Sequence, residues 1–471
     1  MKIRYFLSAL MLLLISTAAQ AELMTPETLW SLSRLGDTQL SPDGKTFLVT
    51  ISKPDISENT TSMHIYSMPS SGGEMRQLTF GGNHNYNPVW SPDSKKFAFI
   101  SDRDGAPQAY IMNMGGGDPE KMTSMEKGVS FLSWSPDGKH LAFCSDVKLD
   151  RTIHEVHKDL DKVDAMVYDG LPVRHWDVWN DEYYRHLFVM PAEGGEPRDL
   201  MEGEKYDTPL KPFGGASQIA WAPNGTEIAY TAKKVKEFAT STNSDIYIAP
   251  VYGGKAKNIT QGNTGFDMEP MYSPDGKYIA FHSQERPGYE SDRIRLMIYT
   301  TYSGRISELS KDLDQWTGTT AWFPNSRGLY FSAGNNDGTS QLYQIDLNGK
   351  FKTLTSGNYN FATRALSVSP DGKMIYLSRE NYNHPFELFS MSSAGGALKQ
   401  LTDLNKEIFD KIETARIEPR WIVSADSAKV HCWVVYPPDF DPNKKYPMIT
   451  YCQGGPQQPV SQYWSYGWNF L

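Results

Sequence analysis

A short turn motif recurs seven times along this 471-residue chain. Each copy places an apolar residue before Ser-Pro-Asp-Gly or a close variant, and a strand-like segment follows. In such a turn Pro presets φ, Asp tolerates the bridge region, and Gly adopts the left-handed conformation that lets the next strand pair back. The copies begin at Ser41, Ser91, Ser135, Ala222, Ser273, Phe323 and Ser369.

The spacing of the copies predicts the architecture. Successive copies lie 50, 44, 87, 51, 50 and 46 residues apart. A repeat of about 40–50 residues with four short strands is typical of a β-propeller blade. We therefore predict an all-β seven-bladed β-propeller over residues 39–410. The long interval is interpreted as an insertion in the third blade, at 147–185, where apolar residues at helical spacing from Ile153 to Val167 predict a helix.

The first residues are typical of a signal peptide, which we assign to 1–21. Lys2 and Arg4 precede an apolar run that is too short to span a bilayer, and Ala19-Gln20-Ala21 fits the small-x-small cleavage pattern. We therefore expect a periplasmic or secreted protein with no membrane span once the signal is removed.

Charge and cysteine content exclude several function classes. The net charge of −9 argues against a nucleic-acid partner, which requires a basic face. No Cys-x-x-Cys or zinc motif is present, so we predict neither a metal nor a cofactor.

The pattern changes after residue 410, and we predict a second domain over 411–471. Trp421–Ser424 and Val430–Tyr436 are predicted to be two strands around a polar turn. Tyr446–Cys452 is a continuous apolar run of the buried-strand type, and it leads directly into Gln453-Gly-Gly-Pro456.

A repeat of this kind followed by Trp433-Val-Val-Tyr-Pro-Pro, Lys445-Tyr-Pro-Met-Ile and Gly-Gly-Pro resembles the prolyl oligopeptidase family of serine peptidases. Arg174-His-Trp-Asp-Val-Trp179 and Gln453-Gly-Gly-Pro-Gln457 are similar to its dipeptidyl-peptidase and acylaminoacyl-peptidase branch. The resemblance covers essentially the whole chain after the signal peptide. It implies that 411–471 is the opening, incomplete part of an α/β-hydrolase domain. It also implies that an N-terminal helical segment, 22–38, packs on that domain.

The resemblance also implies an activity, namely release of N-terminal dipeptides from a peptide substrate by a serine nucleophile. Gly454 and Gly455 match the loop that contributes backbone N–H groups to the oxyanion hole. The printed sequence contains no Gly-x-Ser-x-Gly, so the catalytic Ser, Asp and His are expected beyond Leu471, and this chain alone is expected to be inactive. The aromatic side chains that follow the glycines are then expected to be uncovered: Tyr463, Trp464, Tyr466, Trp468 and Phe470.

A dipeptidyl peptidase must also bind a free α-amino group, which requires a carboxylate within hydrogen-bond reach. Asp181 and Glu182 in the blade-three insertion are the candidates, with Asp177 behind them. Two alternatives stay open at this point. One is a non-enzymatic periplasmic propeller that binds a partner protein. The other keeps the peptidase class with acylaminoacyl-peptidase or oligopeptidase specificity.

Overall fold

The structure is a computed structural model that describes residues 22–335, 337–452 and 459–471. The predicted signal peptide and the predicted oxyanion residues Gly454 and Gly455 lie outside the described residues. Within the described ranges, no helix has the length and apolarity needed to cross a bilayer.

The described chain begins with one short helix, α1 (Pro26–Ser31). Its N-cap is Thr25, whose Oγ1 accepts a hydrogen bond from the Thr28 backbone N–H at 3.1 Å, and Pro26 at the first helical position needs no such partner. Helix α1 is shorter than the N-terminal helical segment expected over 22–38, because Leu35 belongs to the first strand and its side chain is buried between sheets.

Antiparallel sheets are the main regular structure of the described chain. The first two sheets contain β1 (Arg34–Leu40), β2 (Thr46–Asp55), β3 (Thr60–Pro69), β4 (Arg76–Gln77), β5 (Asn85–Trp90), β6 (Lys96–Ser101), β7 (Gln108–Asn113) and β8 (Glu120–Lys121). The third sheet and its insertion contain β9 (Ser130–Trp134), β10 (His140–Lys148), α2 (Ile153–Val156), β11 (Arg174–His175), β12 (Val178–Trp179), β13 (Tyr183–Pro191) and β14 (Arg198–Asp199).

The fourth and fifth sheets, preceded by a 3₁₀ turn at Ala216–Gln218, contain β15 (Ile219–Trp221), β16 (Glu227–Ala232), β17 (Asp245–Pro250), β18 (Lys257–Asn258), β19 (Asp267–Tyr272), β20 (Tyr278–Ser283), β21 (Arg295–Thr300) and β22 (Ile306–Glu308). An eight-stranded sheet follows, with β23 (Thr317–Trp322), β24 (Gly328–Gly334), β25 (Ser340–Asp346), β26 (Phe351–Thr353), β27 (Asn360–Val368), β28 (Met374–Asn381), β29 (His384–Ser392) and β30 (Lys399–Gln400). It consists of two four-stranded runs joined by one parallel contact between Ser340 and Asn360. We call each run of four strands a unit, numbered one to seven along the chain.

Apolar clusters between neighbouring units form the core. Consecutive units share such clusters; for example, Leu48 of unit one packs with Trp90 of unit two. Units one and seven share a further cluster, in which the rings of Phe47 and Tyr376 meet edge to face at 5.0 Å. The first and last units therefore pack on each other, as in a β-propeller.

The seven turn motifs lie between the first and second strands of the seven units. In unit one Ser41 Oγ donates to Asp43 Oδ1 at 2.6 Å and accepts the Thr46 backbone N–H at 3.0 Å. Gly44 takes φ 74°, and a Cβ there would lie 2.7 Å from Cδ of Pro370 in the turn of unit seven. Ser94 replaces this glycine in unit two at φ 60°, and its Oγ accepts the Asp43 backbone N–H at 3.1 Å. Neighbouring turns are therefore in contact at this end of the molecule.

Residues 149–182, which we call the arm, connect the second and third strands of unit three. The predicted helix is wrong in length, because helical backbone covers only the four residues of α2. Thr152 and Glu155 form a capping box that fixes this turn. Val156, Val163 and Val167 are exposed, so the remaining apolar residues have no core against which a helix could pack.

A last helix, α3 (Lys406–Phe409), leads to a two-stranded hairpin, β31 (Ile417–Val423) and β32 (Lys429–Val435). The hairpin confirms the two strands predicted around a polar turn. The third predicted strand is wrong in this structure, because residues 446–452 adopt no regular structure and Met448 and Ile449 are 86% and 95% exposed. No described strand lies beside this segment to pair with its backbone groups. The three cysteines are free thiols.

Candidate functional site: the α1 end and the channel

Three segments lie at one end of the units: the arm, the link between β28 and β29, and helix α1. Successive antiparallel strands reverse direction, so the connections between second and third strands leave the sheets opposite the seven turns. The arm is such a connection, and so is the link between β28 and β29. Helix α1 enters the first strand of unit one from this same side. We call it the α1 end.

Residues 459–471, which we call the tail, are attached to units six and seven at this end. Ser461 Oγ lies 2.8 Å from the Gly338 carbonyl and 2.7 Å from Asn360 Oδ1. The Gln462 side-chain oxygen accepts the Tyr382 backbone N–H at 3.3 Å. The residues that follow the predicted Gly454–Gly455 loop are therefore fixed to the α1 end.

Trp464 anchors the tail to α1. Its side chain is buried with Leu29 and Leu32, and its ring meets Phe409 edge to face at 5.8 Å. The expectation that this aromatic segment is uncovered is therefore wrong for Trp464, which is 4% exposed. It is right for Trp468, which is 79% exposed. No local sequence pattern indicates this particular contact, although the family resemblance implied that the N-terminal segment packs on 411–471.

A buried carboxylate, that of Glu380, binds the backbone of the tail. Glu380 at the end of β28 accepts the Trp464 backbone N–H at 3.3 Å and lies 3.5 Å from the Arg364 guanidinium. Burial raises the pKa of Glu380, while the positive charge of Arg364 and a hydrogen bond from Thr363 offset part of that effect. Glu380 and Arg364 thus link the tail to the inner strand of unit seven.

A hydroxyl–imidazole–carboxylate row crosses from unit five to unit six. Glu269 Oε2 lies 2.8 Å from His282 Nδ1, and His282 Nε2 lies 3.3 Å from Thr320 Oγ1. Burial alone would raise the pKa of Glu269, but the hydrogen bond and charge of His282 outweigh it and hold the pKa below its usual value. The Thr320 hydroxyl already donates to the Gly318 carbonyl at 2.7 Å, so it is not arranged as a nucleophile. We read this row as a cross-link between units.

The arm carries the carboxylates predicted to bind an amino group. Asp177 is exposed at the tip of the β11–β12 hairpin, next to Trp176, whose backbone is left-handed at φ 49°. Asp181 Oδ1 accepts the Tyr183 backbone N–H at 3.1 Å, and Glu182 is half-buried. Desolvation raises the pKa of Tyr168, the charges of Glu182 and Asp181 add to that effect, and the Tyr168 hydroxyl donates to the Asn180 carbonyl at 2.8 Å.

Exposed aromatic side chains surround the arm hairpin. Trp176 contacts the Phe213 ring edge to face at 5.5 Å, although both side chains are more than 70% exposed. The structure thus brings aromatic and acidic groups together on the arm. Among the described residues, no hydrogen bond or ion pair joins the arm to the tail. No group of three or more His, Cys, Asp or Glu that could hold a metal ion occurs in the described ranges.

An open cavity of about 940 Å³, which we call the channel, lies beside unit one and is lined mainly by innermost strands. Asp37, Tyr86, Thr319, Arg364 and Phe386 contribute to its walls. Sequence reasoning missed this channel, because its walls come from units one, two, six and seven. One sequence signal points to the channel. It is a charged residue, such as Asp37 or Arg364, in the first strand of a unit.

Comparison with known proteins places the fold in a family. The family model for the TolB beta propeller domain matches residues 35–168 and 220–410, and the chain belongs to this family. The chain is 37% identical over 454 residues to dipeptidyl-peptidase 5 of Porphyromonas gingivalis and 34% identical over 459 residues to that of Porphyromonas endodontalis. These alignments cover 95% and 96% of the chain, which spans 66% and 65% of the length of the two relatives.

A solved structure shows the same fold. An acylaminoacyl peptidase in complex with Z-Gly-Gly-Phe-chloromethyl ketone superposes with a TM-score of 0.73 at 18% identity, covering 94% of this chain and 64% of that one. The chain is therefore a propeller-containing homologue of the dipeptidyl-peptidase 5 proteins, with a fold shared by acylaminoacyl peptidases.

Proposed function

We propose that the chain is part of an exported serine-type dipeptidyl peptidase with a seven-bladed propeller. The observation that carries this proposal is the tail, fixed to the α1 end by Ser461, Gln462 and Trp464. It follows a Gly-Gly-Pro segment of the type found in oxyanion loops, and dipeptidyl-peptidase 5 of Porphyromonas gingivalis aligns over 95% of the chain. The predicted signal peptide supports a periplasmic or secreted location.

In the proposed reaction, peptides are held between the α1 end and a hydrolase domain that begins with β31 and β32. Backbone N–H groups at Gly454 and Gly455 stabilise the negative charge of the tetrahedral intermediate. A serine attacks the scissile carbonyl while a histidine accepts its proton, and an aspartate orients that histidine. Because the printed sequence has no Gly-x-Ser-x-Gly, the proposal assigns this triad to residues outside it.

The arm supplies recognition of the substrate N-terminus in this proposal. The arm leaves unit three at the α1 end. The tail is attached at this same end. Its acidic residues Asp177, Asp181 and Glu182 complement an ammonium group, and the exposed ring of Trp176 offers a further cation-binding face. Charge and aromatic surface thus favour a peptide with a free amino group.

The test uses the full-length natural enzyme and two fluorogenic dipeptidyl amides that differ only in N-acetylation. We expect hydrolysis of the free-amine substrate alone. Asp181→Ala and Glu182→Ala should lower kcat/KM by about 10- to 100-fold, the range for losing a charged hydrogen bond. Asp118→Ala, at an exposed site outside the arm, is the matched control. Unchanged kcat/KM in both arm variants would refute the arm assignment, and absence of hydrolysis of either substrate would refute the peptidase proposal.

A further inference from the structure

The channel cavity contains two opposite charges that are not paired with each other. Asp37 lies on the innermost strand of unit one and Arg364 on that of unit seven, and both line the cavity. Among the described residues, no ion pair joins the two side chains. Each is held by other groups, so their positions do not depend on mutual attraction.

Asp37 is fixed by backbone contacts and presents one free oxygen. Its own N–H donates to Thr50 Oγ1 at 2.6 Å, and its Oδ2 accepts the Asn87 backbone N–H at 3.1 Å. Its Oδ1 has no hydrogen-bond partner among the described residues. The residue is exposed to the cavity yet enclosed by the surrounding strands, and this desolvation raises its pKa. A carboxylate in such surroundings is stabilised by a cation.

Arg364 is fixed on one side and open on the other. Its Nε lies 3.5 Å from Oε1 of Glu380, whose side chain is 1% exposed. Its guanidinium lies 5.4 Å from the centre of the Phe386 ring, while 48% of the Arg364 side chain stays exposed. The fork of donors in a guanidinium suits a carboxylate ligand. The neighbouring His84 is already engaged by Asp102 at 2.7 Å.

We infer that the channel binds a short zwitterionic peptide, with its ammonium group at Asp37 and its terminal carboxylate at Arg364. The cavity volume falls within the range of small-ligand sites. An extended tripeptide spans about 10 Å, a length that a cavity of about 940 Å³ accommodates. This inference rests on the proposed peptidase only for the source of the peptide. The site does not include the arm, and it adjoins the tail because Glu380 contacts both Arg364 and the Trp464 backbone N–H.

The test measures binding of Ala-Ala-Ala by the chain, with N-acetylated and C-amidated forms as probes. Wild-type protein should bind the free tripeptide at least tenfold more tightly than either blocked form, as expected for a lost charged contact. In Asp37→Asn the acetylation effect should vanish while the amidation effect remains. Arg364→Gln should show the reverse, and Arg364→Lys, which keeps the charge beside Glu380, should retain part of the amidation effect.

Matched controls are Asp118→Asn and Arg327→Gln, both exposed and neither among the residues that line the cavity. Mass spectrometry of the recovered peptide verifies that it stays intact during the measurement. Loss of binding in Asp181→Ala and Glu182→Ala, with no change in Asp37→Asn, would place the amino group on the arm and overturn the channel site. Equal binding of free and blocked peptides, or no binding, would also overturn it. Neither result bears on hydrolysis by the full-length enzyme, which tests the proposed function separately.

Discussion

Removing the Phe47 ring should destabilise the protein by separating its first and last units. Phe47 is fully buried between them and meets Tyr376 edge to face at 5.0 Å. Truncation of a buried phenylalanine costs about 3–5 kcal/mol, through lost transfer free energy and the cavity left behind. About 0.5–1.5 kcal/mol should be specific to the aromatic pair. Phe47→Ala should therefore lower the free energy of unfolding by at least about 3 kcal/mol.

The measurement is urea unfolding of the wild type, Phe47→Ala, Tyr376→Ala and the double variant. The double-mutant cycle isolates the pairwise free energy, which should be about 0.5–1.5 kcal/mol. Phe80→Ala is the control, because Phe80 is 70% exposed and its loss should change stability by less than about 0.5 kcal/mol. A loss below about 1 kcal/mol for Phe47→Ala, together with no coupling to Tyr376, would show that units one and seven do not close on each other.

Three further predictions concern pH, a turn and the tail. Burial raises the pKa of Glu387 to about 7, so between about pH 4.5 and 7 the folded state holds a proton that the unfolded state has lost. The free energy of unfolding should therefore fall as pH rises through this range. The fall in the urea midpoint should be smaller in Glu387→Gln. Gly44→Ala should cost about 1–2 kcal/mol, because φ is 74° and its Cβ would meet a neighbouring turn, whereas Gly170→Ala, with nothing within 4 Å, should be nearly neutral by the same assay. Trp464→Ala should make the tail more sensitive to limited proteolysis while Trp468→Ala does not; equal cleavage of both would contradict the anchoring role of Trp464.

Local chemistry explains why the repeated turns could be predicted from sequence. Ser41, Asp43 and Gly44 form their hydrogen bonds and left-handed backbone within a few residues of one another. The left-handed serines Ser94 and Ser326 could not be predicted in this way, because each accepts a hydrogen bond from the turn of the preceding unit. The partner becomes a neighbour only when the sheets are assembled.

The arm shows the opposite case, in which a sequence pattern lacked its physical support. Apolar residues from Ile153 to Val167 follow helical spacing, but Val163 and Val167 are exposed. An isolated helix of this length is marginal without packing, so only the capped turn of α2 remains. The predicted strand at 446–452 fails for a related reason, since no described neighbour pairs with it.

The candidate sites also differ in whether local sequence or contacts between distant segments define them. Motif resemblance identified Gly454 and Gly455, and charge pattern identified Asp177, Asp181 and Glu182, all of which stay predictions. The channel site that holds Asp37 and Arg364 forms only where the two ends of the propeller sequence meet. No local sequence pattern indicates this meeting.

The most direct test of the proposed function follows the products that the full-length natural protein releases from one decapeptide with a free N-terminus. Mass spectrometry at successive times reads the order of cleavage. We predict stepwise loss of dipeptides from the N-terminus, with no cleavage of the same peptide after N-acetylation. Internal cleavage, release of a single acylated residue from the blocked peptide, or no cleavage of either would contradict the assignment as a dipeptidyl peptidase.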